Sequence, residues 1–263
     1  MGDFEFDAAT SLTGDGAVFH ATLTDQWSGM GGVNGGFMLA LLTQGMARVT
    51  SFPDPIVVSG FYLRPGSPGP AEIRTELIRS GRTTAFTQAS LWRDGKETVR
   101  ATAAFTDLDK AGDPVPPVFA GDTAPALPPP DDCFHLEAGA IPGVSIASRI
   151  EHRAVEEPGW FKGAPSGNPA AEFYMRFRDG REPDMVSLPL FVDAAAPVVL
   201  EVAGLSTTVE LTVHLRARPV PGWLSCRAVT RYVAGGYHEE DFEIWDSSGQ
   251  LVAQSRQLAL FVK

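Results

Sequence analysis

The chain has 263 residues, 44% of them hydrophobic, and a formal net charge of −11. That length suits one large domain or two of roughly 130 residues, and the apolar fraction is too high for a disordered chain. The negative balance argues against nucleic acid and anionic membrane surfaces as main partners, though a few local arginines can still hold phosphates.

Several further classes are set aside by simple signals. Cys133 and Cys226 form no CxxC pair, so neither a zinc site nor a disulfide framework is expected. The acidic N-terminus has no apolar leader segment, and no apolar run approaches the ~20 residues of a membrane span. The expected location is therefore cytoplasmic.

In chain order, the first strong element is an apolar stretch of helical length, GGVNGGFMLALLTQGMARV (residues 31–49). Glycines crowd its start, good helix formers propagate it, and a helix is predicted over residues 33–48. A run of strands follows, FYLRPGSPGPAEIRTELIRSGRTTAFTQASLWRDGKETVRATAAF, with a hairpin turn at Asp94-Gly95. Residues 111–130, AGDPVPPVFAGDTAPALPPP, are too rich in proline for a helix or central strand and read as a linker. They divide the chain into an N-terminal unit (1–110) and a C-terminal unit (131–263). Residues 132–167 match nothing in the first half and receive no function.

A second helical stretch is SLPLFVDAAAPVVLEVAG, residues 187–204. Ser187 is a plausible N-cap and Gly204 a plausible C′ residue; Pro197 is expected to kink the helix or shift its start. The predicted helical span is residues 190–202. A second strand run then repeats the first, with Trp245 lying 153 residues after Trp92 and a turn at Ser248-Gly249. One strand, one helix and about four antiparallel strands, twice over, describe an α+β fold of two tandem hotdogs. Each is a curled antiparallel sheet wrapped around a central helix, and the two pair edge to edge.

No Gly-x-Ser-x-Gly nucleophile elbow is present. None of the five histidines has metal-site spacing, so no metal and no cofactor are expected. The second half does, however, resemble the thioesterase II (TesB-like) double hotdogs. That family has an Asp in the second central helix, a Ser or Thr leading into the next strand, and a Gln in the last strand after a Leu-Val-Ala segment. The matching stretches are Leu190-Phe191-Val192-Asp193, Thr208-Val209-Glu210-Leu211-Thr212, and Leu251-Val252-Ala253-Gln254-Ser255-Arg256-Gln257. Glu210 stands where the family often has Asp. The resemblance implies that Asp193, Thr208 and Gln257 are catalytic and that acyl-CoA is the substrate. It further implies that Arg79 and Arg82, in an Arg-x-Gly segment, contact the CoA moiety.

Elementary chemistry agrees with this carry-over. A thioester needs an aimed water, a base and dipoles for the oxyanion, and an unpaired Asp in an apolar stretch is expensive without a function. Attack by the carboxylate itself remains open. Gly35 and Gly36, at a helix start, could bring backbone N–H groups close to the substrate. At the offset of 153, Asp193, Thr208 and Gln257 fall opposite Ala40, Pro55 and Ala104, so one site per chain is expected. A hotdog dehydratase or hydratase and a non-catalytic acyl-CoA-binding protein are the alternatives; assembly of double hotdogs into homo-oligomers is a further expectation.

Overall fold

The computed structural model describes residues 4–110 and 120–262. The first half runs through helix α1 (Glu5–Ala9), strands β1 (Thr13–Asp15) and β2 (Val18–Leu23), and a small hairpin of β3 (Ser28–Gly29) and β4 (Gly32–Val33). Helix α2 (Gly35–Ala47) follows, then strands β5 (Asp54–Tyr62), β6 (Gly69–Ser80), β7 (Ala85–Arg93) and β8 (Lys96–Thr106). The second half contains β9 (Phe134–Leu136), β10 (Ile150–Ala154), β11 (Ala170–Phe177), helix α3 (Leu188–Phe191) and β12 (Ser206–Leu215). It closes with β13 (Leu224–Val229), β14 (Val233–Ala234), β15 (Tyr237–Trp245) and β16 (Leu251–Phe261).

The large sheet has the order β1-β2-β6-β7-β8-β5-β12-β16-β15-β13-β11-β10-β9, with β14 on β15. Its centre is a mirror: β2-β6-β7-β8-β5 on one side matches β11-β13-β15-β16-β12 on the other. The halves join where β5 pairs antiparallel with β12, Gly60 opposite Leu211 and Val58 opposite Val213. This is the double hotdog. The repeat extends to irregularities, since the register slips beside Trp92 in one half and beside Trp245 in the other. The Asp94-Gly95 turn has both residues at positive φ (51° and 71°), the left-handed pair of a type I′ hairpin.

Helix α2 is apolar on all sides, and Phe37, Leu39, Leu41, Leu42 and Met46 are fully buried; such a helix belongs inside a core. The Trp27 ring stacks on Phe37 at 5.2 Å, and Phe6 meets both Trp27 and Phe177, which in turn contacts Phe191. These rings tie the two helices and both halves into one core.

Two expectations are corrected. The second central helix does not run from 190 to 202. It makes one turn, α3, then bends through 192–197 and ends in a 3-10 turn, Val198–Glu201. Pro197 is the physical reason. It has no N–H to give the carbonyl four residues back, which belongs to Asp193. Ser187 does occupy the N-cap position, but its hydroxyl donates to the Asp184 carbonyl and makes no cap bond. The second correction is one of register. Glu240 on β15 pairs with Gln257, and its counterpart Thr87 on β7 pairs with Ala103. The repeat position opposite Gln257 is therefore Ala103 and not Ala104, because the second hairpin is longer. A one-residue slip matters in a sheet because it changes the face. Of the expected linker, residues 111–119 lie outside the described residues; 120–129 form neither helix nor strand.

Candidate active site

Asp193 follows α3 at the crossing of α3 with the start of α2. Its Oδ2 accepts the Gly36 backbone N–H at 2.7 Å and the Asn34 side-chain amide at 3.0 Å. The Asn34 amide also donates to the Asp193 carbonyl at 2.7 Å, which Pro197 leaves without a helical partner. A further bond from the same side chain caps α2, where Asn34 Oδ1 accepts the Phe37 N–H at 2.9 Å. One side chain of the first half thus holds both the backbone and the carboxylate of the second.

The glycines explain how the helices come so close. A Cβ on Gly36 would sit 2.6 Å from the Pro189 carbonyl oxygen and 2.8 Å from Asp193 Cβ. On Gly35 it would meet Asp193 Oδ2 at 2.9 Å and the Tyr62 ring at 3.0 Å. Of the two glycines expected to serve the substrate, Gly36 gives its N–H to Asp193 and does not line the cavity, whereas Gly35 does line it.

A cavity of about 410 Å³ opens beside this crossing, lined by Gly35, Asp193, Thr208 and Gln257 among others. Thr208 and Gln257 come from adjacent strands, β12 and β16. A β-bulge between Thr208 and Glu210 puts Thr207, Thr208 and Val209 all on the cavity wall, as bulges beside active sites do. Among the described residues the Gln257 side chain makes no hydrogen bond, although it is 9% exposed. The unmatched segment 132–167 also finds a place here. Leu136, Ile141, Val144, Ile146, His152 and Trp160 also line the cavity.

Arg79 and Arg82 do not join them. They sit at the tip of the β6–β7 hairpin, whose last pair, Ser80 with Ala85, lies level with Phe105 and Pro55. The cavity is at the Tyr62 end of β5, roughly 23 Å away along the strand at ~3.3 Å per residue. The sequence motif is intact, but the register carries it to the other end of the sheet.

Burial pushes Asp193 up to about 6, against the pull of the Gly36, Asn34 and Gly35 donors, which favour its ionised form. Glu240, on β15 beside Gln257, lines the same cavity; burial first, then the charges of Asp193 and Glu239, raise it to about 8. Its Oε2 accepts the Val198 N–H at 2.8 Å. Burial lowers His152 to about 4, so its ring is neutral at physiological pH. Burial and the neighbouring Asp193 and Glu210 hold the Tyr62 phenol well above its ordinary range, and its hydroxyl donates to the Gly35 carbonyl at 2.9 Å. Asn34 and Glu240 were both missed in the sequence. An Asn directly before Gly-Gly at a helix start was a readable signal for the first; nothing local marked the second. Among the described residues no group of three or more His, Cys, Asp or Glu is placed to hold a metal ion.

The tandem antiparallel sheet, the enclosed helix and a half-buried carboxylate at the seam define a double-hotdog protein of the thioesterase II type. The acyl-CoA thioesterase N-terminal domain profile matches residues 23–106, and the acyl-CoA thioesterase C-terminal domain profile matches residues 121–261. The chain belongs to the acyl-CoA thioesterase family. Similar sequences include uncharacterized proteins of Mycobacterium tuberculosis and Mycobacterium bovis, 28% identical over 272 residues, 92% of this chain and 90% of theirs. Among solved structures, a Thermobifida fusca protein classed provisionally as a thioesterase II is 30% identical, with a TM-score of 0.89 and full coverage of both chains. The acyl-CoA thioesterase II TesB2 of Mycobacterium marinum shares the fold at 16% identity, with a TM-score of 0.75 and 97% of each chain covered.

Proposed function

We propose that this protein hydrolyses acyl-CoA to free acid and CoA, with Asp193 as general base. The observation that carries the reading is a single cavity lined by Asp193, Thr208 and Gln257, in which the hydrogen bonds from Asn34 and Gly36 both fall on Oδ2. Oδ1 is left to face a water. Thr208 and Gln257 hold that water by neutral hydrogen bonds without adding charge. The water oxygen attacks the thioester carbon while its proton passes to Asp193. The tetrahedral intermediate collapses with loss of the C–S bond, and the proton goes on to the departing thiolate. A base near 6 is mostly ionised at pH 7 and still close enough to the operating pH to exchange protons.

The test is release of free thiol from CoA esters of graded acyl length by the wild type and by Asp193→Asn. Thiol release that requires Asp193 supports the reading; absence of release across the series overturns it. A hydratase reading would rest on His152, which lines the same cavity. Conversion of an enoyl-CoA to a hydroxyacyl-CoA, without thiol, would favour it.

A further inference from the structure

Thioester hydrolysis needs hydrogen-bond donors aimed at the oxygen that becomes negative, and the start of α2 has few left. The Gly36 N–H goes to Asp193, whose ionised form the Gly35 N–H also favours, the Phe37 N–H to Asn34 Oδ1, and the Met38 N–H to the Asn34 carbonyl. The Asn34 amide is also taken by Asp193, and the Tyr62 hydroxyl by Gly35. Thr208 and Gln257 are assigned to the water. One further polar side chain stands in the same row. Glu240, on β15, is the cross-strand neighbour of Gln257, is 8% exposed and lines the cavity. Its Oε2 is occupied by the Val198 N–H, while Oε1 has no partner among the described residues.

Building on the thioesterase reading, we infer that Glu240 is a further catalytic residue, which in its neutral form donates a hydrogen bond from Oε1 to the thioester carbonyl oxygen as charge develops there. A carboxylic acid kept neutral by an apolar site is a competent oxyanion donor. Its surroundings favour that form. The titratable groups around it are Asp193 across the cavity, Glu239 and the buried His238 on its own strand, the half-buried His152 and Tyr62, and Glu201 on the turn that begins at Val198; burial lowers His238 and favours its neutral ring. The Glu201 carboxylate is taken up by the Trp160 and Ser166 N–H groups. Arg64, which also lines the cavity, donates to the Glu97 carbonyl and forms no ion pair with Glu240. Asp193 and Glu240 together make an ionised base and a neutral acid in one cavity, an arrangement suited to a rate maximum between their two titrations.

A plain structural role predicts something different. If Glu240 only capped the turn at Val198, its ionisation would strengthen that bond, and any loss of activity at alkaline pH would follow loss of the folded state in circular dichroism. The experiment is kcat/KM against pH for the wild type, Glu240→Gln and Glu240→Leu, with circular dichroism as a check on the fold. Glutamine keeps an acceptor for Val198 and an N–H for the substrate but cannot ionise. The expected wild-type profile falls above pH about 8. Glu240→Gln should remove that alkaline limb with a modest drop in rate. Glu240→Leu should lower kcat roughly a hundredfold, as loss of one oxyanion donor does. An alkaline limb that persists in Glu240→Gln, or a wild-type rate in Glu240→Leu, overturns the inference while leaving hydrolysis by Asp193 standing. A wild type without thioesterase activity overturns both.

Discussion

Replacing Gly36 by alanine should damage stability and activity together, and the size of the effect can be worked from the helix crossing. The new Cβ would lie 2.6 Å from the Pro189 carbonyl oxygen, 2.8 Å from Asp193 Cβ and 2.9 Å from the Leu190 carbonyl oxygen. Two of these neighbours are backbone and cannot swing aside. Restoring an ordinary contact opens the crossing by about 0.8 Å, and the 2.7 Å bond from the Gly36 N–H to Asp193 is then lost. Overpacking costs about 1–3 kcal/mol and a hydrogen bond to a charged group about 1.5–3 kcal/mol, against a helix-propensity gain of at most about 1 kcal/mol. The net is a loss of about 3 kcal/mol, or roughly 10 °C in Tm for a chain of this size. Asp193, with one donor fewer, should also titrate higher. Thermal denaturation and the pH dependence of thiol release measure the two effects. Gly35→Ala is the informative comparison, because its Cβ meets the Asp193 carboxylate and the Tyr62 ring, side chains that can move. It should lower turnover more than Tm. Gly204→Ala, in open space, should change neither. A Gly36→Ala protein with wild-type Tm and wild-type kcat/KM would refute the account of this crossing.

Other expectations follow from the same geometry. Asp193→Asn should keep the fold and lower turnover about a hundredfold or more, with smaller losses for Thr208→Ala and Gln257→Ala; the wild-type rate should rise as pH increases through about 6, and a rate flat from pH 5 to 7 would contradict the base assignment. Glu240 should make stability fall with rising pH. Between its ordinary value of 4.5 and about 8 the folded chain keeps a proton that the unfolded chain has released. The effect is at most roughly 5 kcal/mol at ~1.4 kcal/mol per unit, so Glu240→Gln should gain Tm over the wild type at pH 9 relative to pH 4. Arg79→Ala and Arg82→Ala should leave KM for short acyl-CoA within about twofold, since neither reaches the cavity; a tenfold rise would restore them to the binding site. Copies are expected to self-associate through the outer sheet face, where Phe61, Phe86, Leu258 and Leu260 are exposed. Light scattering that reads only monomer at micromolar concentration would refute this.

The parts of this protein that were legible in the sequence are those written in local periodicity. Trp92 and Trp245, the Asp94-Gly95 turn and the apolar run of α2 each carry a short-range signal, and together they specify the doubled fold. Asp193 was legible as a charge in an apolar stretch. What could not be read depends on contacts across the seam. The length of the second helix is decided by Pro197 together with Asn34, 163 residues earlier (197 − 34), which takes the carbonyl that proline abandons. Glu240 looks like any acidic residue in the strand Tyr-His-Glu-Glu-Asp-Phe; only the pairing of β15 with β16 puts it beside Gln257. Arg79 and Arg82 lie apart from the cavity for the converse reason. Their motif is local, whereas their distance from the cavity is set by the register of four strands.

The double duty of Asn34 bears on how such a chain can change over generations. In a pair of identical single hotdogs, every copy would have to supply both the helix start that steadies a carboxylate and the carboxylate itself. Joining the two in one polypeptide separates those obligations. The first half can lose acidic and amide groups at Ala40 and Ala103 and keep only its asparagine and two glycines. The second can break its helix with a proline that no symmetric partner would have to share. Each half thus answers to its own contacts, the first to those of Asn34 and the second to the bend at Pro197, and neither could stand in for the other.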